Sequence, residues 1–174
     1  SKAASDHLVM AWHRTYGLPA IISNCSNNYG PYQNTEKLIP ATILRAINHQ
    51  PITIYGDGKN VRDWLHVSDH AKALFSILER GSIGKKYCIG AKSEFDNLTI
   101  VNQICENLTV LNDANFDYKE LITFVPDRPG HDRRYAIDNK FLESQVGWMP
   151  RVTFHTGLKD TIAWYLNNKR WWSS

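Results

Sequence analysis

The sequence predicts an α/β fold built around a parallel sheet, and three observations carry that expectation. Segments with helical spacing alternate with short apolar runs along the 174 residues, the pattern of layered α/β folds. Ala20, Ile21 and Ile22 form an apolar run without polar alternation, as in a strand buried on both faces of a parallel sheet. The polarity then switches at Ser23, Asn24, Ser26, Asn27 and Asn28, and Tyr29-Gly30-Pro31 signals a turn. A buried strand running into a polar loop is where open α/β sheets bind ligands. The same asparagines can also serve only the backbone of their own turn.

In order along the chain, residues 2–16 read as an amphipathic helix. Ala4, Leu8, Ala11 and Thr15 share one face with Trp12 beside them, and Gly17 and Pro19 end it. A strand follows over 20–23. Leu38 to Ile47 reads as a helix begun near Pro40, and Ile52 to Tyr55 as a strand closed by Gly56-Asp57-Gly58. Trp64 to Val67 is a second apolar piece. Ser68 is the expected N-cap of the next helix, Ala71, Leu74, Phe75 and Leu78 its apolar stripe, and Gly81 its stop. Tyr87 to Gly90 reads as a strand. Thr99 is the expected cap of a helix that buries Val101, Ile104, Cys105 and Leu108. Residues 112–120 are polar and irregular, and Ile122 to Val125 is a strand ended by Pro126. Tyr135 to Ile137 is a strand fragment, and Asp138 caps a short helix stopped by Gly147. Thr156 caps the last helix, with Leu158, Ile162, Tyr165 and Leu166 inward. No repeat or low-complexity tract occurs.

Composition narrows the function classes. At 43% hydrophobic residues a sizeable core is available, in one medium domain or two small ones. A net charge of +3 falls short of a nucleic-acid-binding composition, while suiting a phosphate-bearing ligand. Cys25, Cys88 and Cys105 are far apart with no C-x-x-C, so neither a disulfide framework nor a thiolate zinc site is expected. Reduced thiols suit a cytoplasmic protein. No apolar run approaches a membrane span and no signal peptide opens the chain. His66 and His70 stand four apart without an H-E-x-x-H pattern, so no metal site is expected. No glycine-rich phosphate loop follows a first strand, and the opening at Ser1-Lys2 without Met reads as a fragment boundary.

Asn24-Cys-Ser-Asn-Asn-Tyr-Gly-Pro-Tyr32, followed by Glu36-Lys-Leu-Ile-Pro40, resembles the dTDP-glucose 4,6-dehydratases, a family of extended short-chain dehydrogenase/reductases. Pro51-Ile-Thr-Ile-Tyr-Gly56, Arg62-Asp-Trp64 and Asp127-Arg-Pro-Gly-His-Asp-Arg-Arg-Tyr-Ala-Ile-Asp138 follow in that family's order. The resemblance covers nearly the whole chain. It implies part of an NAD-binding Rossmann-type parallel sheet plus a smaller mixed α/β substrate-binding domain. Residues 1–28 would then be the last helix and strand of the cofactor domain. Residues 29–60 and 92–174 would be mainly the nucleotide-sugar-binding domain, and 61–91 a segment returning to the cofactor domain.

The resemblance also implies roles. Lys2 would hold the NAD ribose and lower the pKa of a tyrosine four residues before it; alone, it is a frayed terminal lysine. Asn28 would contact NAD and Asn27 the substrate. Lys37 and Leu38 would touch the sugar nucleotide. A lysine at a helix start also opposes the helix dipole, a local conflict that suits a ligand role. Thr53, Ile54 and Tyr55 would line the substrate site. Period-two alternation puts Thr53 and Tyr55 on one face and Ile52 and Ile54 on the other, so Tyr55 is either displayed to stack on a base or packed in the core. Thr53 stands where family members often carry proline. Arg62 and Arg128 would grip the diphosphate bidentately or else form surface ion pairs. Asn97 would orient phosphate or ribose, or serve a turn. Asp127, Arg128, Pro129, Gly130 and His131 make a rigid turn that would close over the nucleotide.

The implied reaction converts dTDP-glucose to dTDP-4-keto-6-deoxyglucose. NAD takes the C4 hydride while a tyrosine removes the 4-hydroxyl proton, an Asp–Glu pair eliminates water across C5 and C6, and hydride returns to C6. The tyrosine, the Asp–Glu pair and the glycine-rich loop would lie upstream of Ser1, so these residues alone are expected to be inactive. A homodimer using helix 2–16, a cytoplasmic location and a place in deoxysugar biosynthesis, rhamnose included, are further implications; neither nucleic acid nor membrane is an expected partner. Two alternatives stand beside this reading: a nucleotide-sugar-binding module without catalysis, and a nucleotide-sugar epimerase of the same superfamily.

Overall fold

The structure, a computed structural model, describes residues 1–113 and 115–173. Helix α1 (Lys2–Tyr16) ends at Gly17, whose φ of +70° lets its N–H return to the His13 carbonyl. No residue of α1 is buried, and the expected apolar face with Leu8 and Trp12 is exposed. The half-buried side carries Asp6, Val9, Met10 and His13 instead. Polar tethers choose this side: Asp6 accepts from Lys86 at 2.6 Å and from Asn24 at 3.3 Å.

Strand β1 (Ile22–Cys25) starts two residues later than expected and pairs in parallel with β5 (Lys86–Ile89). Residues 18–20 are held in a turn, with Ala20 N–H donating to the Leu18 carbonyl. The polar loop after β1 contains a strand that the side chains conceal, β2 (Asn27–Tyr29). It pairs in parallel with β4 (Val61–His66), Asn27 opposite Trp64. The ladder uses backbone groups only, so polar side chains do not prevent it. β4 also pairs antiparallel with β6 (Glu94–Asp96) and in parallel with β8 (Arg134–Tyr135), while β3 (Ile52–Tyr55) pairs in parallel with β7 (Ile122–Val125). The expected irregular stretch 112–120 includes residue 114, which lies outside the described residues; Tyr118–Leu121 forms a 3₁₀ turn.

The helices lie where expected, with shifted caps and, in α3 as in α1, a turned face. α2 covers Leu38–Ile47. α4 (Asn97–Leu111) is capped by Asp96, which accepts from Thr99 N–H at 2.8 Å, and α6 (Phe154–Asn167) by Thr153, which accepts from Thr156 N–H at 3.3 Å. Thr99 and Thr156 are therefore the donors three residues on, and a sequence with polar residues at both ends of that spacing reads either way. α3 (Val67–Arg80) is capped by His66, whose Nδ1 accepts from Ser68 N–H. α5 (Lys140–Val146) starts after Asn139, although Asp138 still accepts from Lys140 N–H. A short α7 (Lys169–Trp172) follows α6. α3 turns Asp69, Ala73 and Ile77 inward and leaves the expected stripe of Leu74, Phe75 and Leu78 exposed. The buried Asp69 carboxylate accepts from the Arg151 and Val152 N–H groups at 2.8 and 2.7 Å, and this contact sets the helix's rotation.

Two cores result. The larger gathers Ile39, Ile43, Ile52, Ile54, Ile104, Leu108, Leu158, Ile162 and Tyr165 from α2, β3, α4 and α6. The smaller gathers Leu65, Ala73, Ile77, Tyr87, Ile89, Leu142, Val146 and Trp148. β4 serves both, because successive residues point to opposite faces: Trp64 enters the larger core and Leu65 the smaller.

Two stability outcomes follow from this packing. A Cβ at Gly157 would lie 2.4 Å from the Tyr29 hydroxyl and 2.9 Å from Val152 Cγ1, so Gly157→Ala should lower stability by about 1–3 kcal/mol in thermal or urea denaturation; an unchanged midpoint would show that α6 gives way freely. His66 and His70 both have pKa values lowered by burial, Asp69 and Asp160 partly offsetting this for His66. An unfolded histidine takes up its proton near pH 6.5, before the folded one does. Stability should therefore be full above about pH 6.5 and fall on acidification until the folded values are passed. Denaturation between about pH 5 and 8 should show this slope reduced in a His66→Gln, His70→Gln double variant.

Candidate functional site

A cavity of about 490 Å³ opens between α2, β3 and the 127–131 turn. Its wall includes Asn27 from β2, Lys37 and Leu38 from the head of α2, and Thr53, Ile54 and Tyr55 from β3. Arg62 from β4, Asn97 at the start of α4, and Arg128 and His131 complete the expected set within it. The alternation on β3 behaves as anticipated: Ile52 and Ile54 are buried, and Tyr55 is 49% exposed at the cavity.

Five expected site residues do not line this cavity. Asp127 sits behind it. It accepts from His131 Nδ1 at 2.7 Å and from the Arg128 N–H at 2.8 Å, and these contacts, the histidine's first, hold its carboxyl below the usual carboxylate range. Asp127 thus orients His131, which does face the cavity. Pro129 and Gly130 shape the turn, Gly130 at φ +69°. Lys2 is exposed at the head of α1. Asn28 points to the opposite face of β2 from Asn27, as adjacent strand residues must. Its Nδ2 donates to Cys25 Sγ and the Ser26 carbonyl, and its own carbonyl accepts from Gln33 Nε2 at 2.7 Å. Tyr165 in turn donates to the Gln33 carbonyl at 2.8 Å, so α6 pins the asparagine loop. Asn28 Oδ1 is buried without a protein partner.

The cavity is electropositive. Lys37, Arg45, Arg62 and Arg128 all line it, against the single carboxylate of Glu36. None of these five forms a salt bridge with another described residue. Arg62 is held in place by carbonyls, donating from Nη1 to Val61 at 2.7 Å and from Nη2 to Asp132 at 2.9 Å. Burial lowers its pKa first, Asp132 raises it, and Arg128 lowers it again. Arg62 and Arg128, two guanidiniums in one wall with no ion-pair partner among the described residues, suit an anion with several oxygens. Sequence reasoning missed Arg45, Thr42 and Trp64 in this wall. The signal for Arg45 was available: with Lys37 and Ala41 it repeats every four residues, one face of α2. Among the described residues no group of three or more His, Cys, Asp or Glu could hold a metal ion, and no helix is long and apolar enough to cross a membrane.

Residues 1–161 match the family described as GDP-mannose 4,6 dehydratase. The chain belongs to this family. Within it, the chain is 54% identical over 99% of its length to a probable dTDP-glucose 4,6-dehydratase of Sinorhizobium fredii. It is 52% identical over its whole length to the dTDP-glucose 4,6-dehydratase of Neisseria meningitidis serogroup B. It spans 49% and 50% of those two proteins, about half their length. A Bacillus anthracis dTDP-glucose 4,6-dehydratase solved in complex with NAD superposes with a TM-score of 0.89 at 44% identity, covering 99% of this chain and 52% of that one. A Streptomyces venezuelae dTDP-glucose 4,6-dehydratase solved with NAD bound gives 0.91 at 40% identity, covering 98% and 51%. These structures establish the mixed α/β fold with Rossmann-type parallel pairing. A Thermotoga maritima UDP-glucose 4-epimerase superposes at 0.87 with 23% identity over 97% of this chain and 52% of that one, a likeness of fold alone.

The anion receptor has a direct test. Arg128→Ala should weaken binding of inorganic pyrophosphate, measured by titration calorimetry, by roughly 10-fold or more, the worth of a charge-assisted hydrogen bond. Unchanged affinity with an intact circular dichroism spectrum would reduce Arg128 to a surface residue.

Proposed function

We propose that this chain is the carboxy-terminal part of a dTDP-glucose 4,6-dehydratase and supplies most of its nucleotide-sugar pocket. The observation that carries the reading is the meeting, in one cavity, of unpaired Arg62 and Arg128 with an outward-facing Tyr55. The diphosphate lies across Arg62, Arg128 and His131, and Asn97 adds an amide that both donates and accepts. The base stacks on Tyr55 between α2 and β3, near Lys37 and Leu38. The sugar extends toward Asn27, two residues past the carboxyl end of β1, the end at which open α/β sheets bind their ligands. The epimerase alternative is not favoured: epimerase likenesses stand at 22–24% identity, against 52–54% for curated dehydratases.

NAD is the cofactor of this reading, and two residues present here fit it. Asn28 offers a buried oxygen in need of a donor, and Lys2 an exposed ammonium suited to ribose hydroxyls. NAD supplies reversible hydride transfer when bound. Lys2 would position the ribose and, through its charge, would favour the ionised form of a tyrosine one helical turn before it, the residue that the resemblance implies. Asn27 and Asn28, on opposite faces of β2, hold substrate and cofactor on either side of one strand.

The larger core then belongs to the nucleotide-sugar domain, residues 29–60 and most of 92–174. The smaller core, with 1–28 and 61–91, belongs to the cofactor domain, and α5 and Trp148 pack onto it. Exposed Leu8, Trp12 and Tyr16 on α1 support a homodimer through that helix. Three free cysteines suit a cytoplasmic enzyme, and the product class suits a role in deoxysugar biosynthesis such as that of rhamnose.

The chain should bind dTDP. Tyr55→Phe should retain most of the affinity because stacking needs only the ring, whereas Tyr55→Ala should lose roughly 1–3 kcal/mol. Affinity and melting temperature are to be measured together. A large loss of stability at unchanged dTDP affinity would make Tyr55 a packing residue and sink the stacking geometry.

A further inference from the structure

Arg45 lines the same cavity at the last turn of α2, where a cation suits the helix dipole. Its Nη1 donates to the Pro51 carbonyl at 3.0 Å and to Thr53 Oγ1 at 2.8 Å. Those two bonds use both hydrogens of Nη1 and fix the plane of the guanidinium. Nε and Nη2 keep three hydrogens, and no carboxylate of a described residue pairs with them. Thr53 Oγ1, having accepted from Arg45, still has its own proton to donate. Thr53 and Tyr55 share a face of β3, one side-chain repeat apart, roughly 6.6 Å. That offset is about the reach from the centre of a stacked pyrimidine to a partner at its edge. The wall beside Tyr55 is therefore built from donors that are oriented before any ligand arrives.

Resting on the nucleotide-sugar reading, the geometry points to Arg45 and Thr53 as specificity-determining residues that read the base edge. They accept a pyrimidine edge that carries a carbonyl, as thymine and uracil do, and reject one that carries an amino group, as cytosine does. A carbonyl oxygen satisfies the free donors of Arg45. An amino group sets donor against donor and offers the guanidinium no acceptor. A site built to hydrogen-bond one group discriminates strongly against the analogue that lacks it. Thr53 adds a second reason: its hydroxyl accepts from Arg45 at 2.8 Å and so holds the guanidinium in this orientation.

The test is titration calorimetry of the full chain with dTDP and dCDP, for wild type, Arg45→Ala and Thr53→Val, with melting temperatures alongside. Wild type should prefer dTDP. Arg45→Ala should weaken dTDP by about 10–100-fold and dCDP by less than about threefold, collapsing the preference. Thr53→Val keeps the Arg45 bond to Pro51 and so leaves the α2–β3 connection tied; it should narrow the dTDP-to-dCDP ratio by about threefold or more. Equal weakening of both nucleotides in Arg45→Ala would make Arg45 a general electrostatic contributor and overturn the inference, as would an unchanged ratio in both variants. Failure of the folded wild type to bind either nucleotide would instead overturn the nucleotide-sugar reading itself, and the inference with it.

Discussion

The buried carboxylate of Asp63 fixes the strand to which every part of the candidate site refers. Its two oxygens accept from the Ala91 N–H at 3.0 Å and the Ser93 N–H at 2.8 Å. A Cβ on Gly90 would come within 2.5 Å of the same carboxylate, so the chain there approaches as closely as only glycine permits. A charge this deeply placed is tolerable because its lone pairs are met by backbone donors. The consequence is that β4 is clamped in its middle. Arg62 on one side of the clamp faces the cavity, and Trp64 and Leu65 on the other side seat the two cores.

The rest of the site is registered to that strand. β2 brings Asn27 opposite Trp64, β6 leads directly into Asn97, and β8 follows the turn that carries Arg128 and His131. Three segments distant in sequence thus meet within one cavity because each pairs with β4. The fourth contribution, from α2 and β3, arrives through the larger core, where Ile39, Ile43, Ile52 and Ile54 pack together. Arg133 and Arg134, just beyond the turn, are neutralised by Asp57 and Glu94. Their pairing keeps surface carboxylates occupied and leaves the cavity's cations free for a ligand. Free cations in a receptor are a local cost that a stable scaffold tolerates, and such local conflicts concentrate at functional sites.

The comparisons and the geometry constrain each other. Dehydratases at about half identity and with nearly the same backbone set the family. The arginines without an ion-pair partner and the displayed tyrosine suit the role proposed for this half, holding the nucleotide. The residues proposed for the cofactor stand apart: Lys2 lies outside the cavity, and Asn28 turns away from it across β2. A reading in which one strand separates two ligands needs both faces, and β2 offers them with adjacent asparagines.

The sequence by itself determined what depends on local pattern. Alternating elements, a parallel strand near Ile22 (though not its start at Ala20), the buried stripe of α4, the span of α2 and the outward face of Tyr55 were legible, because period and turn chemistry act over a few residues. Most of the cavity wall was legible only through the resemblance, since no local rule brings Arg62 to Arg128. The tertiary structure decided the rest. β2 was hidden because its ladder is made of backbone, and its partner lies 37 residues away at Trp64. α3 was turned by Asp69 reaching residues 151 and 152, and α1 by Asp6 meeting Lys86. In both helices a long-range polar contact overrode the apolar stripe. Burial of an apolar face is non-directional, whereas a carboxylate with two donors is satisfied in only one orientation, and the partner that sets it is absent from the local sequence.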